Sequence, residues 1–185
     1  GLITGILHTR MGIPPILSGI LTQLALYSIN LRIMGKSMLA VSVDKFSLLV
    51  SVREQEISCA VALAFVVAII AVLYWFFGTE MGSAIRATGS NLNMSRAQGI
   101  NTDRNKVLGI MVANALVATS GALLSQFQGF ADVNMGRGAI VIGLAAVIIG
   151  EVAFGKIFRN FALRLVAVVF GAIIYYIVIT VVLKL

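Results

Sequence analysis

Few residues in this 185-residue chain are equipped for chemistry. His8 is the one histidine and Cys59 the one cysteine, which rules out an intrachain disulfide, a cysteine-based zinc site and a paired-histidine metal site, and leaves no credible Ser-His-Asp triad. No G-x-x-x-x-G-K-[ST] run is present, so the chain does not bind and hydrolyse a nucleotide by that route. Among the carboxylates only Glu151 approaches membrane depth, with Asp132 in a short loop, and a proton relay is poorly supported. His8 reads as an interfacial residue beside Arg10, and Cys59 as a small buried hydrophobe. The remaining polar chemistry is concentrated in Gly78–Ile110, GTEMGSAIRATGSNLNMSRAQGINTDRNKVLGI, a Gly-punctuated segment between two long apolar runs. Such a segment is built to be gripped by a partner.

The elements around it follow from composition. Hydrophobic residues make up 59% of the chain, charged residues 11%, and mean hydropathy is +1.02, which excludes an ordinary soluble domain. Uncharged runs at Met11–Ile29, Ile57–Phe77, Val107–Gln128 and Leu165–Leu183 each approach the ~20 residues needed to cross a hydrocarbon core as a helix. They are too long, and too little alternating, for barrel strands of about ten residues. The expected class is an all-α integral membrane protein, a polytopic helical bundle. Its full spans lie at about 11–29, 57–77, 107–128 and 161–183, and a broken or re-entrant helix lies at 138–157. Residues 1–185 form one transmembrane domain, with the polar loop at 79–106. An apolar opening at Gly1–Leu7 and an end just past a span read as a fragment of a longer chain.

The net charge of +7 does not indicate nucleic acid, because the bases are spread over several loops with no exposed aromatics among them. They read as membrane-flanking residues in contact with the lipid bilayer. With 79–106 on the cytoplasmic side, eight Lys and Arg fall inside (Arg10, Arg86, Arg96, Arg104, Lys106, Lys156, Arg159, Arg164) and six outside (Arg32, Lys36, Lys45, Arg53, Arg137, Lys184). The sign agrees weakly with the positive-inside rule.

Gly138–Gly150 is too short to cross a core of about 30 Å as one straight helix. It is either a re-entrant half-helix or the first part of a broken span running to about Ile157. Gly138, Gly143 and Gly150 therefore belong either to the wall of a pathway or to a tightly packed helix pair. In the 107–128 span, Asn114, Ala118, Gly121, Ser125 and Gln128 share a small, polar face opposite Val112, Leu116, Leu123 and Phe127. That small face is expected to pack inward, lining a path or a helix contact, with Asn114 bonded to another helix. Thr22 and Gln23 pose the same choice, and Pro14-Pro15 marks a helix start or kink. Asn30–Glu56 is a solvated loop or an external docking surface, and its alternating middle at Met38–Val52 fits short extended or helical structure lying on the outer surface.

The segment Gly82–Ile100, G-S-A-I-R-A-T-G-S-N-L-N-M-S-R-A-Q-G-I, resembles the cytoplasmic loop of ABC importer permeases of the branched-chain amino-acid and ribose type. The pattern G-x-x-x-R-A-x-G-x-N-x-x-x-A-R-x-x-G-I is met at Gly82, Arg86, Ala87, Gly89, Asn91, Arg96, Gly99 and Ile100, and departed from at Ser95, where the family has Ala. Gly99–Arg104 (G-I-N-T-D-R) and Thr9–Pro15 (T-R-M-G-I-P-P) are similar to family segments as well. Leu26–Gly35 and Ile149–Glu151 look most like tryptophan/tyrosine-type permeases.

The resemblance implies a multi-pass permease of the bacterial plasma membrane and no enzyme. It implies a second permease subunit, as a homodimer, and an extracytoplasmic substrate-binding protein. A separate cytoplasmic ABC ATPase would carry ATP and Mg, with no cofactor in this chain. About two further spans before Gly1 and one after Leu185 are implied. Small residues Ala84, Ala87, Gly89 and Ser90 would let a short helix seat in a groove of the ATPase, Asn91 would cap the next turn, and Arg86 and Arg96 would make charge-assisted contacts. The competing readings are an ion-coupled secondary transporter or channel, and a non-transporting assembly subunit.

Overall fold

A short apolar helix, α1 (Leu2–Thr9), opens the chain and leads to a proline-defined start. Pro14 is the N-cap and Pro15 the first residue of α2 (Pro15–Met34), where a missing N–H costs no helical bond. The prolines thus begin a helix rather than kink one. α2 runs later than the uncharged stretch Met11–Ile29, because Leu31, Ile33 and Met34 continue it until Gly35, at φ +65°, closes its C-terminus. The computed structural model describes residues 1–40, 55–136, 138–155 and 160–184, with side chains described from Ser58 onward after the first of these stretches. It is an all-α polytopic membrane protein, with four helices among the described residues long and apolar enough to span a bilayer.

After α2 come β1 (Met38–Ala40), α3 (Gln55–Gly78), α4 (Glu80–Ser90), α5 (Leu92–Ala97) and α6 (Thr102–Gln128). β2 (Phe130–Asp132), α7 (Ala139–Phe154) and α8 (Phe161–Lys184) complete the chain. The helices form two compact units, one of Gly1–Ala64 with Trp75–Val133 and one of Phe65–Tyr74 with Asn134–Leu185.

In the first unit α1 packs on α2 and on α6. Gly5 allows the approach to α6, since a Cβ there would stand 3.0 Å from Val107 Cγ1. Thr4 donates to Thr22 Oγ1 at 3.1 Å, which assigns Thr22 to a helix contact, while Gln23 is exposed. His8 Nδ1 lies 2.9 Å from the Ile13 carbonyl and ties the end of α1 to the turn before α2. β1 and β2 pair antiparallel with Met38 opposite Asp132, Leu39 opposite Ala131 and Ala40 opposite Phe130. This small ladder puts the start of the alternating Met38–Val52 stretch in extended structure and holds the C-terminal ends of α2 and α6 together. The remainder of the alternating Met38–Val52 stretch lies outside the described residues, as do Lys45, Arg53, Arg137, Lys156, Ile157 and Arg159.

In the second unit α7 and α8 form an antiparallel pair whose contact is made of small residues. Ala146 and Gly150 face Ala167 and Gly171, and all four are buried. Such spacing brings backbones together where lipid offers no hydrophobic drive for association. α7 continues as helix through Glu151 to Phe154, so the carboxylate does not end it. Its 16 residues give about 24 Å, still short of a full core.

Cys59 is exposed on α3, not buried. Helices suited to lipid present apolar residues outward, and the inside-apolar expectation of soluble proteins does not carry over to them.

Candidate functional site

The polar segment is not a loop. Three caps divide it into short helices. Thr79 caps α4, its Oγ1 accepting from Gly82 N at 3.4 Å. Asn91 caps α5 through Oδ1 and Met94 N at 3.1 Å, and Asn101 caps α6 through Oδ1 and Arg104 N at 3.2 Å. Glu80 and Asp103 sit in the first turns of α4 and α6, where a negative charge suits the helix dipole. α5 ends with Gly99 at φ +79°: Gly99 N donates to Arg96 O and Ile100 N to Ser95 O, both at 3.0 Å, a Schellman closure that favours glycine.

The glycines of the segment have different reasons for being there. A Cβ on Gly82 would overlap Phe76 O and Phe77 Cα, so only glycine lets α4 fold back against the end of α3. Gly89 is helical and has nothing within 4 Å, so the chain itself gives no steric cause for it. Ser95, the departure from the family pattern, is 2% exposed, and its hydroxyl donates to Asn91 O at 2.9 Å. A small residue is what the position demands, and the extra hydroxyl is satisfied locally.

Buried polar side chains knit the pieces together. Thr88, Ser95, Thr102 and Asn105 are all buried. Asn105 Nδ2 on α6 donates to Thr88 Oγ1 on α4 at 3.1 Å, and Thr88 in turn donates to Ala84 O at 2.7 Å. Arg96 Nε donates to Thr102 Oγ1 at 3.0 Å, and its guanidinium stands 3.8 Å from Asp103 Oδ1 with both side chains more than half exposed. Arg96 is therefore engaged across the α5–α6 junction, a role its sequence position did not reveal. Arg86 is exposed on α4, Ala87 and Ile100 are half-buried, and Asn91 is exposed. With Arg104 and Lys106, four bases stand against two carboxylates, Glu80 and Asp103, between Thr79 and Lys106.

Sequence reasoning missed Thr79, Thr88, Asn101, Thr102 and Asn105. The caps were readable, because Thr or Asn stands directly before each helical run. The buried pair was not, because an Asn and a Thr 17 residues apart carry no period.

The second candidate set is divided between α6 and α7. Asn114, Ala118, Gly121 and Gln128 are exposed on α6 and Ser125 is half-buried, whereas Val112, Leu116 and Leu123, the supposed outer face, are half-buried. The start of α1 meets α6 on the Asn114 side, where a Cβ on Gly1 would stand 2.9 Å from Met111 Cα and 3.1 Å from Asn114 Cβ. α4 covers the opposite flank of α6, where Asn105 meets Thr88 and Gly109 approaches Ile85. Asn114 Nδ2 donates to Ile110 O on its own helix at 2.8 Å. On α7, Gly143 has open space around it, whereas a Cβ on Gly150 would come 2.5 Å from Ala167 O. Gly150 is a close-packing residue.

Comparison with known proteins locates this arrangement. The family model described as "Branched-chain amino acid transport system / permease component" matches residues 1–185. A tyrosine transport system permease protein of Clostridioides difficile is 43% identical over 175 residues, 95% of this chain and 57% of the relative. An uncharacterized protein of Rickettsia prowazekii is 31% identical over 180 residues, 95% of this chain and 62% of the relative. A high-affinity branched-chain amino acid transport system permease protein of Escherichia coli is 35% identical over 74 residues, 40% of this chain and 24% of the relative. The chain spans about three-fifths of the length of the first two. No solved structure matches.

Proposed function

Because this chain belongs to the branched-chain amino acid transport permease family and is a multi-pass cell-membrane protein, we propose that it supplies spans of the translocation path of an ATP-driven ABC importer, with Thr79–Lys106 coupling those spans to a separate ATPase. The cargo is a small amino acid-like solute; an aromatic one is favoured by the likeness to a permease named for tyrosine. The carrying observation is the buried Asn105–Thr88 bond, which makes the polar segment a folded block continuous with α6. On this reading nucleotide-driven closure of the ATPases displaces α4 and α5, and α6 follows, shifting the spans between two access states. Gly89, without an internal cause, and Arg86, exposed beside it, form the surface offered to the ATPase; Arg96 shapes it from behind. A second permease subunit and an extracytoplasmic substrate-binding protein complete the system, and ATP and Mg belong to the ATPase.

The test is uptake by the full-length permease in proteoliposomes, with its ATPase and binding protein supplied from the same genomic neighbourhood. Uptake of tyrosine or tryptophan that requires ATP supports the reading. Uptake that persists without the ATPase and follows an ion gradient replaces it with a secondary carrier.

A further inference from the structure

We infer that Asn105 is a positioning residue of the import cycle, the point at which α4 and α6 are locked so that a displacement of one is delivered to the other; the inference rests on the coupling function proposed above. α4 reaches α6 along the chain only through α5 and two turns, at Asn91 and at Gly99–Asn101. Turns bend. The direct contact includes Ile85 on α4, whose Cγ2 lies 3.6 Å from where a Cβ of Gly109 would stand, and apolar contacts of that kind allow sliding.

The directional element is the hydrogen-bond chain Asn105 Nδ2 to Thr88 Oγ1 to Ala84 O, which ends on the backbone of α4. Its polarity is fixed. The single hydroxyl proton of Thr88 is given to Ala84 O, so Thr88 receives from Asn105 and has nothing to offer it. Asn105 is 8% and Thr88 4% exposed, so breaking the bond strands a buried amide, about a tenfold penalty or more in the equilibrium between locked and slipped arrangements. Neither residue faces the surface offered to the ATPase. Loss of the bond is therefore expected to weaken transmission without removing the docking surface.

The experiment uses the full-length permease with its ATPase and binding protein in proteoliposomes, reading substrate imported per ATP hydrolysed. Asn105→Asp keeps the shape but removes the donor, and Thr88→Val keeps the shape but removes the acceptor. Each is expected to lower that ratio by about tenfold while ATP hydrolysis continues. Thr88→Ser restores the hydroxyl and the ratio, and the double variant is no worse than either single one. Spin labels at Ser83→Cys and Val117→Cys, in a Cys59→Ser background, give a readout in the permease alone. The distance distribution is expected to broaden on Asn105→Asp and to stay narrow with Thr88→Ser. An unchanged ratio and an unchanged distribution in Asn105→Asp and Thr88→Val overturn the inference with the function intact. Absence of ATP-dependent uptake by the unaltered complex overturns the function, and the inference falls with it.

Discussion

Gly171 on α8 packs against the carbonyl of Ala146 on α7 so closely that any Cβ on the glycine would overlap that oxygen. Gly150 stands in the reciprocal position, its absent Cβ 2.5 Å from Ala167 O. The two backbones, not their side chains, are the surfaces in contact. Gly171→Ala and Gly150→Ala are therefore expected to destabilise the α7–α8 pair by about 1–3 kcal/mol, since backbone has no rotamer with which to yield. Gly143→Ala, with open space around it, is the control. It is expected to be neutral or to stabilise α7 by up to about 1 kcal/mol. Denaturant titration of the purified full-length permease in micelles distinguishes them, and equal effects at the three positions would contradict the close-packing account.

The spanning helices were legible because a run of about 20 uncharged residues has few other uses. Their ends were less so: α2 passes Asn30 and Arg32, and α6 begins at the polar Thr102, because caps and not charge decide where a helix stops. The resemblance at Gly82–Ile100 picked out the candidate site, but not how its residues divide the work. Gly82 and Gly99 serve backbone geometry, Arg96 holds Thr102, and Gly89 serves nothing inside the chain. Of the β1–β2 ladder only β1 was foreshadowed, by the alternation at Met38–Val52; the three residues of β2 are too few to show a period. A helix wheel does not show which neighbour takes which flank of α6: α1 meets it beside Met111 and Asn114, and α4 beside Asn105 and Gly109.

Gly89 gives the cleanest separation of folding from partner contact. It lies in a helix with ordinary backbone angles and nothing near it, so Gly89→Ala is expected to raise the stability of α4 by up to about 1 kcal/mol. Gly89→Leu is likewise expected to leave the isolated permease folded. If the position seats against the ATPase, Gly89→Leu lowers uptake and co-purification of the ATPase together. Full uptake in that variant would remove Gly89 from the docking surface.

Asn91 is expected to act as a cap rather than as a contact. Its Oδ1 accepts from Met94 N, so Asn91→Ala leaves that N–H unpaired and costs about 1 kcal/mol in α5. Asn91→Asp and Asn91→Ser keep an acceptor at the same place and are expected to lie within a few tenths of a kcal/mol of the unaltered chain. Hydrogen exchange of the Met94 amide checks the assignment, since faster exchange in the Ala variant alone is the signature of a lost cap.

Ser95 offers a test of size against polarity. Its side chain is 2% exposed and its hydroxyl is satisfied by Asn91 O within the same helix. Ser95→Ala removes donor and need together, without stranding a partner that depends on it, since Asn91 O also receives Ser95 N at 3.1 Å. The change is expected to be close to neutral. Ser95→Leu inserts side-chain volume where there is no space and is expected to cost about 1–3 kcal/mol. Thermal unfolding of both variants decides between a requirement for smallness and one for the hydroxyl.

Arg96 has two partners, and their burial separates their worth. The approach to Asp103 is 3.8 Å with side chains 59% and 56% exposed, so water and salt screen it, and Asp103→Asn is expected to change stability by less than about 0.5 kcal/mol. The bond from Nε to Thr102 Oγ1 ends on a residue only 2% exposed, and its loss leaves a buried oxygen without its donor. Arg96→Lys, which strands that oxygen, is therefore expected to cost about 1 kcal/mol, and Thr102→Val, which removes it and leaves the exposed guanidinium to water, less; together they cost little more than Arg96→Lys alone, because both remove the same bond. If Arg96 serves uptake by holding the α5–α6 junction, Thr102→Val impairs uptake as Arg96→Lys does. If the guanidinium instead contacts the ATPase directly, Arg96→Lys lowers uptake while Thr102→Val leaves it intact. Uptake measured beside unfolding free energy for the same set of variants therefore assigns Arg96 either to the inside of the block or to its surface.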